Sequence, residues 1–270
     1  MRRAGFSLLL LSLAISASAG AQTADTLWKE RPLFRTSDAV LAAGFIAAAA
    51  AAAPADKYFT RQLQEPARQA NRFLKGGATA FRIFGSPGGL VAGGSMYLIG
   101  LGRGSRRVED LGLHTVESIL MGSVVAGGIK VVTGRARPYA DTANAANFQL
   151  MRGLKSDDYR SFPSGHSTAA FAFASIISAE TSHWWPHTKW IVGPVVYGAA
   201  TLTGISRIYN DDHWASDVIA GAAIGTLAGI KVFRYQHSHP GNHLDKLLLR
   251  AGVQAMNDGN WALTFSTASR

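Results

Sequence analysis

Residues 190–233 read WIVGPVVYGAATLTGISRIYNDDHWASDVIAGAAIGTLAGIKVF. Two apolar runs, 190–206 and 218–233, flank a short polar turn. Each run is long, rich in Ala, Ile, Val and Gly, and seldom alternates between apolar and polar residues. It therefore reads as a helix and not as a strand. Four further segments, 38–55, 83–102, 111–133 and 164–180, have the same character. The expectation is an all-α fold, a bundle of about six apolar helices.

Composition narrows the class. The chain is 47% hydrophobic and 16% charged, which suits a tightly packed or membrane-contacting helical protein and argues against disorder. It holds no cysteine, so disulfides and thiolate metal sites are excluded. The net charge of +10 is scattered between apolar segments with no aromatic-interleaved stripe. That distribution fits attraction to anionic lipid or phosphate and does not point to nucleic acid.

The ends carry their own signals. Arg2 and Arg3, the apolar run Phe6 to Ala17, and Ala19-Gly20-Ala21 have the form of a signal peptide over residues 1–21. An uncleaved anchor helix is the alternative reading of the same stretch, and the expectation is a cell envelope of bacterial type. In 56–82, Lys57, Arg61, Arg68, Arg72 and Lys75 interleave with Tyr58, Leu63, Phe73 and Leu74, as in a basic amphipathic helix on a surface. Residues 234–246 read as a polar linker. Beyond it Ala251, Val253 and Ala255, then Trp261, Leu263 and Phe265, alternate around Asn257-Asp258-Gly259, the pattern of a β-hairpin.

A bilayer span takes ~20 mostly apolar residues. None of the six segments is a clean apolar 20-mer, so a membrane bundle and a soluble one both fit. Arg103, Arg106 and Arg107 form a basic linker that the positive-inside rule puts in the cytoplasm. The linkers on the opposite side would then face the periplasm. With residues 1–21 removed, that parity requires the Ala-rich first segment to stop short of crossing.

Three blocks carry the chemistry. Lys130 precedes Arg137-Pro138 by seven residues, Pro163-Ser164-Gly165-His166 opens a helix, and Ser206-Arg207 leads to His213 and Asp217. Lys130, Arg137 and Arg207 are three cations at helix ends, each near a histidine-bearing block, as in an anion cage. Ser164 and Gly165 stand where helix N–H groups lack internal partners, and such a helix start can hold a phosphate. His213 and Asp217, at i and i+4, would stack on a helix, the carboxylate holding one ring proton and leaving the other nitrogen free to attack. No metal-ligand set accompanies the blocks. His237, His239 and His243 cluster near the end of the helical region, but without a carboxylate cluster.

The three blocks resemble the signature of the type 2 phosphatidic acid phosphatase and vanadium haloperoxidase superfamily, in order, from Lys130 to Asp217. The resemblance implies that Lys130, Arg137, Ser164, Gly165 and Arg207 bind phosphate. It implies that His213 is the nucleophile, Asp217 its partner and His166 the general acid, with no cofactor. The resulting reading is a membrane-associated phosphatase domain over 22–233 followed by an extension over 234–270. Its substrate would be a phosphorylated lipid, a polyprenyl diphosphate or a small phosphate ester, and its active site would face the periplasm. A soluble periplasmic acid phosphatase and a vanadium haloperoxidase are the alternatives.

Overall fold

The computed structural model describes residues 32–239 and the backbone of 251–255 and 261–265. The signal-peptide reading of 1–21 and the Asn257-Asp258-Gly259 turn lie outside the described residues. Helices dominate: α1 (Thr36–Ala52), α2 (Asp56–Leu63), α3 (Pro66–Gln69), α4 (Arg72–Ile83), α5 (Gly89–Arg103), α6 (Arg106–Thr133), α7 (Gly165–Trp184), α8 (Lys189–Tyr209) and α9 (Ala215–Ser238). The apolar segments are helical except that 83–102 is broken over Phe84–Gly88, where Ser86 is non-helical ahead of Pro87, so its helix starts at Gly89; the all-α reading holds. The extension adds the expected hairpin, with β1 (Ala251–Ala255) antiparallel to β2 (Trp261–Phe265). Its register pairs Ala251 with Phe265, Val253 with Leu263 and Ala255 with Trp261.

Three expectations are corrected. Residues 56–82 form three short helices, not one. Glu65 is extended ahead of Pro66, as a residue before proline prefers, and Asn71 caps α4 by accepting from the N–H groups of Phe73 and Leu74. These pieces lie over the site end of the bundle, where Gln64 and Gln69 donate to the carbonyl of Tyr209 at the end of α8. Second, α9 runs to Ser238, so the linker expected at 234 begins inside a helix. Third, the first apolar segment does not stop short. Asp38 near its start meets Lys231 and Arg234 near the end of α9, and Asp56 beyond its end meets Ser216 at the start of α9. Helix α1 thus runs the full height of the bundle alongside α9.

Small residues set the packing. Gly221, Gly225 and Gly229 recur every fourth position on α9 and face α7. A Cβ at Gly225 would collide with the backbone of Thr168 and Ala172, and one at Gly221 with the carbonyl of Ser164. Backbones approach this closely only where side chains are absent, as in bundles held by small-residue stripes. Ile176, Ile177 and Val232 fill one core cluster, and Ile119, Ala169 and Ala172 another.

Four helical stretches, Thr36–Leu63, Arg106–Thr133, Pro186–Tyr209 and Ala215–Ser238, are long and apolar enough to cross a membrane. Apolar side chains face outward along them: Ile46 on α1, Val124 on α6, and Trp190, Ile191 and Val195 on α8 are mostly exposed. Soluble proteins rarely display so much contiguous apolar surface, whereas lipid covers it at no cost. The protein is membrane-associated.

Candidate active site

The end of α6, the start of α7, the end of α8 and the start of α9 meet at one end of the bundle. The three sequence blocks occupy those four helix ends, so the fold brings all eight predicted residues to one place. Glycine makes the junction between the second and third blocks: with no side chain at Gly221, the N–H of Ser164 donates to the carbonyl of Asp217 at 3.0 Å.

The buried centre of the site is a carboxylate–guanidinium network. Asp217, fully buried, accepts from Ser161 Oγ at 2.5 Å, from the N–H of Trp214 at 2.9 Å and from Arg135. Arg135 also reaches Asp56 Oδ2 at 2.8 Å, and Asp56 in turn accepts from the N–H and hydroxyl of Ser216. A buried guanidinium between two carboxylates, with every partner hydrogen-bonded, avoids the several kcal/mol that an unpaired buried charge costs. Trp214 is fully buried and donates its indole N–H to the carbonyl of Ala136, which ties the third block to the first. Neither Arg135 nor Asp56 was singled out from sequence.

The position of His213 differs from the expectation. It lies in the turn before α9, with Trp214 as the N-cap and Asp217 on the first turn. The i, i+4 stacking of two helical residues therefore does not apply. His213 Nδ1 stands 3.8 Å from Asp217 Oδ2, an ion-pair distance and not a hydrogen bond, and it has no other partner among the described residues. Closing to the ~2.9 Å of an N–H···O bond takes less than about 1 Å of ring movement.

Cations surround the two histidines. Arg137 holds Asp157 at 3.0 Å and Asp212 at 3.1 Å, and Arg207 holds the other oxygen of Asp212. One aspartate thus bridges the two phosphate-binding candidates, a feature the sequence reading passed over as part of a loop. Arg207 is buried, and its Nε and Nη1 have no partner among the described residues. Lys130 donates to the carbonyls of Arg160 and Ser161. Ser164 is the N-cap of α7: its Oγ accepts from Ser167 Oγ at 2.9 Å and retains its own hydroxyl proton for donation. A Cβ at Gly165 would meet no atom within 4 Å, so packing does not demand the glycine there.

The electrostatics follow from this crowding. Burial first, then Arg207, His213, Arg82 and Lys130, pull His166 from its usual 6.5 down to about 3. Burial brings His213 down to about 4, with Lys130 and Arg137 adding to it against the opposing pull of Asp217. Both rings are neutral at neutral pH. Asp211 is pushed up to about 6 by burial and by Asp212 beside it. Next to His166 a cleft of about 230 Å³ opens between helices, lined by Gly85, Ser86, Leu90, Ile119, Ser123 and Ala169. Its walls are largely apolar.

Fold and site together define a class: a membrane-associated helical bundle with one buried and one half-buried histidine among cations at one end. Residues 111–240 match the model of the PAP2 superfamily. It is similar to a lipid A 1-phosphatase of Porphyromonas gingivalis, 41% identical over 41% of this chain and 20% of that one. It is also similar to an undecaprenyl-diphosphatase of Sulfolobus acidocaldarius, 27% identical over 53% of this chain and 64% of that one. A probable lipid phosphate phosphatase beta of Arabidopsis thaliana is 31% identical over 43% of this chain and 62% of that one. The matched region thus spans a fifth of the first relative and under two thirds of the others. In fold, the chain resembles a transmembrane PAP2 type phosphatidylglycerolphosphate phosphatase from Bacillus subtilis, with a TM-score of 0.57 at 23% identity, over 77% of this chain and all of that one.

Proposed function

We propose that the protein is a phosphoric ester hydrolase that removes phosphate from a lipid phosphate or polyprenyl diphosphate through a phosphohistidine on His213. The observation that carries this reading is Arg207. A buried guanidinium near His166, whose Nε and Nη1 have no partner among the described residues, is a site that a phosphoryl oxygen completes. The names of the relatives agree with it.

The chemistry follows from the placement. His213, neutral because burial and the neighbouring cations lower its pKa, attacks phosphorus through its free ring nitrogen. Asp217 accepts a hydrogen bond from the Nδ1–H, which stays on the ring, and stabilises the phosphoimidazolium cation that forms. The P–N bond forms as the bond to the leaving oxygen breaks, and protonated His166 gives that oxygen its proton. The incoming dianion favours the protonated form of His166, opposing the lowering by burial, Arg207 and Lys130. Water then attacks phosphorus, His166 accepts its proton, and the P–N bond breaks to return neutral His213 and free phosphate. Arg137, Arg207, Lys130, Ser164 and the N–H groups at the start of α7 neutralise charge on the equatorial oxygens. The apolar cleft beside His166 suits an acyl or prenyl leaving group, and the outward apolar faces favour a membrane enzyme over a soluble acid phosphatase.

The test is phosphate release by purified protein from phosphatidate, phosphatidylglycerophosphate, undecaprenyl diphosphate, lipid A and a nitrophenyl phosphate, with His213→Ala as control. Release from at least one lipid at well above the control rate is expected, and it should persist under exhaustive chelation. Release no faster than the control on every substrate would overturn the reading.

The site is proposed to face the periplasm, because the Arg103, Arg106 and Arg107 turn lies at the opposite end of α6 from Lys130. With α1 running the full height of the bundle, this places residue 36 on the cytoplasmic side. Removal of residues 1–21 during export fits only the reverse orientation. Cysteines introduced singly at Thr142 and Ser105 decide the point: in spheroplasts an impermeant maleimide should label Thr142→Cys at once and Ser105→Cys only after lysis. The opposite order would invert the orientation.

A further inference from the structure

We propose that the end of the bundle opposite the catalytic cage holds a divalent transition-metal site built from His114, Glu180 and His237. The three residues come from α6, α7 and α9. His114 Nδ1 lies 2.6 Å from one oxygen of Glu180, and His237 Nε2 lies 3.0 Å from the other. One donor atom from each residue falls within 4.8 Å of the other two. Glu180 is fully buried and His114 nearly so. The sequence pointed to His237, His239 and His243 as a cluster. The fold instead pairs His237 with two residues far from it in the chain.

The surroundings strengthen the assignment. Glu180 and His183 form a Glu-x-x-His pair on α7, and the ring of His183 stands 4.5 Å from that of His237. His114 and Glu117 repeat the i, i+3 spacing on α6, with Glu117 accepting from Gln236 at 2.5 Å. Carboxylates and histidines at i and i+3 on facing helices are how bundles build metal sites in their cores. The donors are nitrogen and oxygen without sulfur, which suits Zn²⁺, with Co²⁺ as a spectroscopic substitute. Metal–ligand bonds of ~2.0–2.2 Å put donor atoms about 3–3.5 Å apart, so the observed contacts need open by less than about 1 Å. A metal here also offsets the cost of burying the Glu180 carboxylate.

The site is separate from the chemistry. From His114 to Lys130 along α6 is about 24 Å at 1.5 Å per residue. The ion's role is to tie three helices together.

The experiment uses full-length protein purified in detergent without a histidine tag. Elemental analysis should find about one zinc per chain. Cobalt reconstitution of the chelated protein should give a saturable visible d–d band. That band should be lost in His114→Gln and His237→Gln and kept in His239→Gln, a neighbouring exposed histidine. Zinc at a hundredfold above its dissociation constant should raise the thermal midpoint by about 5–10 °C. Chelation should lower the midpoint while phosphate release at low temperature is retained. That separates this proposal from the phosphatase reading, which stands or falls on His213. Wild-type protein that carries no metal and shows no saturable cobalt band overturns the proposal. So does a cobalt band that survives in both glutamine variants.

Discussion

The two ends of the bundle are made from the same helices yet solve opposite problems. At the end where α1 begins, the ion pairs close on one another, Asp38 accepting from both Lys231 and Arg234, and buried His114 Nε2, at the proposed metal site, has no partner among the described residues. At the other end, pairing is left incomplete. Asp212 spans Arg137 and Arg207, but Nε and Nη1 of Arg207 and Nδ1 of His213 stay buried without partners among the described residues. Buried polar atoms left in that state cost free energy, and proteins retain them where a ligand completes them. The comparison shows where function resides in an otherwise uniform stack of apolar helices.

The widest gap between the ends should appear in turnover. His213→Ala should lower kcat by about 10⁴-fold or more and abolish any acid-labile phosphoenzyme in a rapid-quench assay. An alanine enzyme that still forms the phosphoenzyme would remove His213 from its assigned role. The next largest effect tests the buried network. Arg135→Met leaves Asp217 and Asp56 buried without their cation and should cost about 3–5 kcal/mol of unfolding free energy. Combining it with Asp56→Asn should recover part of that loss, and strict additivity would argue against a shared network.

At the opposite end, Asp38→Asn should reduce stability by about 1–3 kcal/mol and leave kcat/KM for a lipid phosphate within about twofold. A large loss of activity there would show that the ends are coupled, and the comparison would fail. The smallest effect is a shift in pH dependence. His213 must be neutral to attack, so kcat/KM should fall as pH drops through about 4. Lys130 helps to hold that pKa down, so Lys130→Met should move the acid limb to higher pH, in addition to weakening substrate binding. Because both histidines have folded pKa values below the unfolded 6.5, acid also favours the unfolded chain as pH falls below that value. Circular dichroism at each pH separates the two effects.

What the sequence made legible was local. Helices announced themselves through long apolar runs, and the three blocks carried the eight site residues in short, fixed spacings. The hairpin, though not its register, followed from simple alternation. Contacts between distant residues were hidden: Arg135 and Asp56 are 79 positions apart, and His114 and Glu180 are 66 apart. No spacing rule reaches that far. Some misses did have visible signals. Pro66 and Asn71 marked the breaks in 56–82, but the regular run of cations suggested one amphipathic helix. The i, i+4 spacing of His213 and Asp217 suggested a helical pair, yet the turn Asn210-Asp211-Asp212 ends before the helix begins, and only Asp217 is inside it.

Asp56 lies outside the stretch 111–240 that similarity recognises, yet it holds Arg135, which holds Asp217 beside His213, the proposed nucleophile. The exchangeable unit is therefore larger than the recognisable one. A chimera that grafts 111–240 onto foreign leading helices would inherit every catalytic side chain and still bury Arg135 one carboxylate short. Grafts should begin at residue 36, so that the counter-charge travels with the chemistry it supports.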